Sequence, residues 1–113
     1  MQAAMEPLFL EQGVNFVFVG HVHAYERTYP VANGQTSMDS GVIYVTIGDG
    51  GNREGHSDTY LAKPAWSAYR NGTEFGHGRI AFHNETTAVF QWRRDVDAEP
   101  TSADEAVWTN NFL

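Results

Sequence analysis

Two imidazoles stand two residues apart in the stretch NFVFVGHVHAYERTYPV, at His21 and His23, directly after an apolar run that ends on Gly20. Neutral imidazole is a nitrogen ligand for zinc, iron and similar metals. Alternate residues of an extended segment point to opposite sides, so histidines at i and i+2 do not readily chelate a single ion. They suit two neighbouring ions instead. In two-metal hydrolytic sites the ions lie about 3.5–4 Å apart, close enough for adjacent histidines to serve one each. The chain has no cysteine, so any metal must be held by nitrogen and oxygen. Taken alone, the same spacing also describes two histidines on a surface loop, the commoner case for so short a motif.

The elements that would position these residues can be read from periodicity. Ala4, Met5, Leu8 and Phe9 recur at helical spacing, which predicts a helix over Gln2 to Gln12 ended by Gly13, although Pro7 would suit a first turn better. Val14 to Val19 is almost continuously apolar and predicts a strand covered on both faces, as in a parallel sheet. In an open α/β sheet, functional groups gather outside the carboxyl ends of the strands, which is where His21 and His23 fall. Val42 to Ile47 predicts a second buried strand, stopping at the glycine-rich turn around Asp49. Gly50 to Gly76 shows no sustained period and reads as a long loop, and loops of that length are uncommon unless functional. Arg79 to His83 and Ala88 to Arg93 read as a hairpin.

Composition narrows the possible partners. A chain of 113 residues with 42% hydrophobic content is the size of one domain. Its net charge of -7, from 14 acidic against 7 basic side chains, supplies no electrostatic footprint for nucleic acid or an anionic membrane surface. No apolar run approaches the roughly 20 residues that span a bilayer, and the opening MQAAMEPLFL lacks the form of a signal peptide.

The motif GHVHAYER resembles the signature of the purple acid phosphatases, binuclear-metal enzymes of the metallophosphoesterase superfamily. The resemblance continues in order through GVIYVTIGDGGNREG, SAYRNGTEFGHGRI and WRRDVDAEPTSADEAVW, and the AYER extension points to the plant-type branch. It implies an α/β fold, the C-terminal portion of a metallophosphoesterase β-sandwich flanked by helices. Residues 1–113 then form the C-terminal part of a longer calcineurin-like catalytic domain, with Met1 standing where the family carries an internal methionine. A chain that starts at Met1 would instead favour a noncatalytic module without a working metal centre.

Carried over by position, the resemblance makes His21 a ligand of the divalent metal and His23 a ligand of ferric iron. The implied cofactors are Fe(III) with Zn, Mn or Fe(II). The family's remaining ligands and its substrate-contacting histidines lie upstream, so no catalytic acid is expected in this chain and Tyr25 is not expected to be the iron phenolate. The implied reaction is hydrolysis of a small-molecule phosphate monoester at acidic pH, with diesters or nucleotides as the alternative substrates. The oligomeric state is left open.

Glu26 and Arg27 are candidates to orient the histidines from behind, against the commoner reading of a solvated or salt-bridged pair. Asp49 reads as a turn residue chosen for the backbone, and His77 as hydrogen-bonded within the fold, with an approach to the site as the alternative. His56 and His83 read as surface residues. Trp66, Tyr69 and Phe75 are expected to pack under the long loop, the alternative being a cover for the pocket, and Trp92 to pack in the strand core. The sequons at Asn71 and Asn84 lie at expected turns and agree with the secreted or vacuolar/lysosomal location that the family implies.

Overall fold

The structure, a computed structural model, describes residues 2–51, 65–99 and 101–110. One helix, α1 (Gln2–Glu11), opens the chain. It ends where glycine permits: Gly13 has φ 70°. There Val14 N donates to Phe9 O at 2.9 Å and Gly13 N to Leu10 O at 3.4 Å, the pair of bonds of a Schellman cap. Pro7 lies inside the helix.

Among the described residues nine strands follow: β1 (Phe16–Val19), β2 (Tyr25–Thr28), β3 (Val31–Ala32), β4 (Gln35–Thr36), β5 (Ile43–Ile47), β6 (Ser67–Asn71), β7 (Gly76–Phe82), β8 (Thr87–Arg94) and β9 (Asp104–Thr109). A mixed four-stranded sheet has the order β1-β5-β2-β6, and a three-stranded antiparallel sheet has the order β7-β8-β9. In the first sheet β5 is parallel to β1, with Val19 beside Thr46, and antiparallel to β2, with Tyr25 beside Ile47. The chain leaving β1 must therefore cross the end of β5 to enter β2. The small ribbon β3–β4 turns on Asn33-Gly34, and buried Glu6 of α1 accepts the Asn33 N–H.

The two sheets share one core. Tyr25, Ile43 and Val45 from the first meet Phe90, Trp92 and Trp108 from the second. Along β8 the buried positions Ala88, Phe90 and Trp92 alternate with half-buried ones, the period of a strand with one inward face. Trp92 is fully buried, and its ring stacks on that of Tyr25 with centroids 4.4 Å apart and planes 6° from parallel.

Three expectations are corrected. The fold is mostly β, and among the described residues α1 is the only helix, so the flanking helices are not found. After Gln12 the described chain consists of short strand-forming runs, and the inner face of the first sheet is covered by the second sheet. Among the described residues β1 lies at the edge of its sheet with Phe18 40% exposed, where the sequence predicts a strand covered on both faces. The segment read as one loop contains β6, whose polar SAYRN is held by pairing Arg70 with Glu26 and Asn71 with Tyr25 on β2; residues 52–64 of that segment lie outside those described.

Candidate metal centre

His21 and His23 occupy the crossover between β1 and β2, at the carboxyl ends of the parallel pair β1 and β5. His21 is exposed and His23 is half-buried. The crossover is not an extended segment: Ala24 N donates to Val22 O at 2.9 Å, a three-residue turn centred on His23. The alternation expected of an extended backbone does not apply to the two side chains here. The two histidines differ instead in exposure.

The backbone of this loop lies directly on the end of β5. A Cβ built on Gly48 would stand 2.2 Å from Val22 O and 2.4 Å from Gly20 O, closer than any side-chain carbon can approach. Only glycine fits beneath the loop. The next residue, Asp49, is fully buried and accepts a hydrogen bond from Trp92 Nε1 at 2.7 Å. The sequence reads it as a structural residue of the turn, chosen for the backbone. Its carboxylate in fact ties the turn to the second sheet, and Gly76 N donates to its carbonyl at 2.8 Å.

On the other side of the loop, Ala24 and Tyr25 are buried. The Tyr25 hydroxyl donates to Asp104 Oδ2 at 2.7 Å. Burial raises its pKa far above the ordinary phenol value, and the bond to Asp104 adds to the rise. This phenol is a core hydrogen-bond donor. Arg27 grips the same carboxylate through both oxygens, Nε to Oδ2 at 2.8 Å and Nη2 to Oδ1 at 3.0 Å. Burial works against the guanidinium charge, but Asp104 more than offsets it, so the pKa of Arg27 rises above its usual value. Glu26 accepts from Ser67 Oγ at 2.9 Å. The hydrogen bonds of Glu26 and Arg27 thus run to β6 and β9, and hold β2 between them.

Two imidazoles and no thiolate make a donor set suited to iron or zinc. Among the described residues no three His, Cys, Asp or Glu side chains gather as a metal site. His77 lies exposed on β7 with Nδ1 3.4 Å from Asp95 Oδ1, and His83 is exposed after β7. His56 lies outside the described residues. Tyr69 packs against the core, its ring 5.8 Å from that of Tyr25, while Trp66 lines a groove with Met5, Phe9, Val19 and Tyr44. Half-buried Asn71 accepts from Thr73 N, Thr73 Oγ1 and Glu74 N at 2.9, 3.2 and 3.0 Å. Asn84 is exposed and accepts from Thr86 N and Thr86 Oγ1 at 2.9 and 2.8 Å.

Sequence reasoning missed Asp104, Gly48 and the hydrogen bond of Trp92. The only signal for Asp104 was the last matched motif, and nothing local in it specifies a partner 77 residues away.

Residues 41–105 match the family model described as iron/zinc purple acid phosphatase-like protein C. The chain is 50% identical over 114 residues to purple acid phosphatase 18 of Arabidopsis thaliana, covering 100% of this chain and 25% of that protein. It is 41% identical over 123 residues to the Fe(3+)-Zn(2+) purple acid phosphatase 12 of the same plant, covering 99% and 26%. A phosphoenolpyruvate phosphatase of Allium cepa is 35% identical over 123 residues, covering 99% and 25%. The chain thus spans about a quarter of the length of these curated relatives. Among solved structures, a purple acid phosphatase from yellow lupin (Lupinus luteus) seeds shares the fold with a TM-score of 0.82 at 20% identity, over 96% of this chain and 20% of that one.

Proposed function

This chain belongs to the purple acid phosphatase family, and from that premise we propose that it is the C-terminal part of a calcineurin-like metallophosphoesterase catalytic domain that hydrolyses phosphate monoesters. The observation that carries the reading is the placement of His21 and His23 at the carboxyl ends of β1 and β5, inside the motif the family resemblance rests on. His21 would ligate the divalent metal and His23 the ferric iron, an assignment that rests on the family pattern. A relative named as an Fe(3+)-Zn(2+) enzyme supports iron with a divalent partner, Zn, Mn or Fe. When bound, such an ion pair supplies positive charge to phosphoryl oxygens during an in-line displacement.

The chain's own residues contribute position. The exposed His21 and half-buried His23 present imidazole nitrogen from a loop seated on Gly48. Neutral imidazole is the form that binds a metal ion. Glu26 and Arg27 orient the histidines through β2, which they fasten to Ser67 and Asp104. Two ligands leave each ion short of the four or more it ordinarily takes, and the remainder would come from outside residues 1–113. The substrate would be a small-molecule phosphate ester, and a relative named as a phosphoenolpyruvate phosphatase supports the monoester class. A secreted or vacuolar/lysosomal location, with glycan at Asn84 or Asn71, completes the proposal.

The test compares residues 1–113 with a natural upstream-extended polypeptide, both loaded with iron and zinc and assayed on a chromogenic phosphate monoester at acidic pH. The extended protein is expected to turn over and the short one not to. Turnover by the short chain, or none by the extended one, would overturn the reading.

A further inference from the structure

We propose that Trp92 and Asp104, in the second sheet, are positioning residues for the metal-ligand loop, acting through Tyr25 on one side and the Gly48-Asp49 turn on the other. This inference rests on the phosphatase reading of His21 and His23.

The loop from Gly20 to Ala24 has a floor and two anchors. Its floor is Gly48, where a side-chain carbon would fall 2.2 Å from Val22 O and 2.4 Å from Gly20 O, so none fits. One anchor is Tyr25, two residues after His23, which bonds Asp104 at 2.7 Å and stacks on the Trp92 ring at 4.4 Å. The other is Asp49, one residue after Gly48, which takes the Trp92 indole N–H at 2.7 Å. A single side chain therefore touches both the residue that leaves the loop and the residue that follows its floor. Trp92 is fully buried between these partners and cannot shift without moving one of them.

A histidine ligand tolerates little displacement, because the metal–nitrogen distance is fixed near 2.0–2.1 Å. Displacing the loop is therefore expected to weaken metal binding even where the protein stays folded. Groups behind metal ligands typically alter affinity by about 10–100-fold. Here the action passes through the backbone, so the lower end, about tenfold, is expected.

The experiment uses the metal-loaded parent polypeptide and three variants. Tyr25→Phe removes the hydroxyl and keeps the ring. Trp92→Phe removes the indole N–H and keeps an aromatic side chain. Trp108→Phe perturbs the same core through a residue that stacks on Phe90 and lies outside the Trp92, Asp49 and Tyr25 contacts. Metal retention against graded chelator, the visible absorption of the iron and the Tm are read for each. Tyr25→Phe and Trp92→Phe are expected to release divalent metal at about tenfold lower chelator and to shift the iron absorption, while Trp108→Phe lowers Tm with wild-type metal retention. Gly48→Ala should weaken retention further, and if it does not fold the other variants still decide. Wild-type retention in Tyr25→Phe and Trp92→Phe, or losses no greater than in Trp108→Phe at matched Tm, would overturn the inference. If His21→Ala and His23→Ala keep their metals as well, the metal reading falls and takes the inference with it, a result that the variants at positions 25 and 92 cannot produce by themselves.

Discussion

Replacing Asp104 by alanine should be the most destabilising single truncation of a polar side chain in this fold. The carboxylate accepts three hydrogen bonds, from Tyr25 Oη at 2.7 Å and from Arg27 Nε and Nη2 at 2.8 and 3.0 Å. The side chains of Arg27 and Asp104 are only 14% and 7% exposed, so water cannot replace the lost acceptor. Removing one partner of a buried ion pair costs about 3–5 kcal/mol. An orphaned phenol hydroxyl costs about 1–3 kcal/mol. These losses share one oxygen and relax together, so they do not add. A total of about 3–5 kcal/mol is expected, a large share of the roughly 5–15 kcal/mol that holds a domain folded. In urea, with m near 2 kcal/mol/M, the midpoint should fall by about 2 M without a change in m. The pair Arg27→Met with Asp104→Leu removes both charges and should recover the part of the loss due to the unpaired guanidinium, leaving the cost of the orphaned Tyr25 hydroxyl. A midpoint shift below about 0.5 M for Asp104→Ala, or a double variant no better than the single one, would refute the assignment of a buried, mutually dependent pair.

Two further outcomes follow from single side chains. The Tyr44 hydroxyl is buried without a hydrogen-bond partner among the described residues, and burial, then the charge of Glu6, raises its pKa above 10.0. A raised folded pKa contributes stability that is fully present below pH 10 and lost as pH climbs through the folded value. Tyr44→Phe should therefore remove a late phenol titration and flatten the alkaline fall in Tm, at little or no cost near neutral pH, as spectrophotometric titration and thermal melts would record. In a secretory host, Asn84 should carry glycan more completely than Asn71: it is exposed with Thr86 Oγ1 2.8 Å from its Oδ1, whereas Asn71 is half-buried and held also by Glu74 N. Mass mapping of tryptic glycopeptides would show the order, and equal or reversed occupancy would contradict it.

The parts of the fold legible in sequence are those whose signal is local. The FVFV run of β1, the IYVTI run of β5 and the alternation of β8 announce strands because valine, isoleucine and the aromatics favour a pleated strand wherever they stand. Gly13 announces the helix end because few other residues adopt φ 70°. β2 was hidden because adjacent Glu26 and Arg27 look like a solvated surface pair. Their burial is made tolerable by Ser67 and Asp104, 41 and 77 residues away, which no window of sequence contains. β6 was hidden for the same reason, since polar SAYRN becomes a strand only beside β2. The Asn33-Gly34 turn was present in the sequence, but strands of two residues are too short to show alternation. At the site, the residue types of His21 and His23 were legible and their backbone was not. The tight turn at His23 and the floor at Gly48 arise because the chain must cross β5, and that follows only from the sheet order.

The central claim is that His21 and His23 hold metal in a phosphatase. Its most direct test is elemental analysis of the metal-loaded parent polypeptide carrying His21→Ala or His23→Ala, with the visible iron absorption read alongside. His21→Ala should lose the divalent metal and keep iron, and His23→Ala should lose iron. Wild-type content of both metals in both variants would contradict the account.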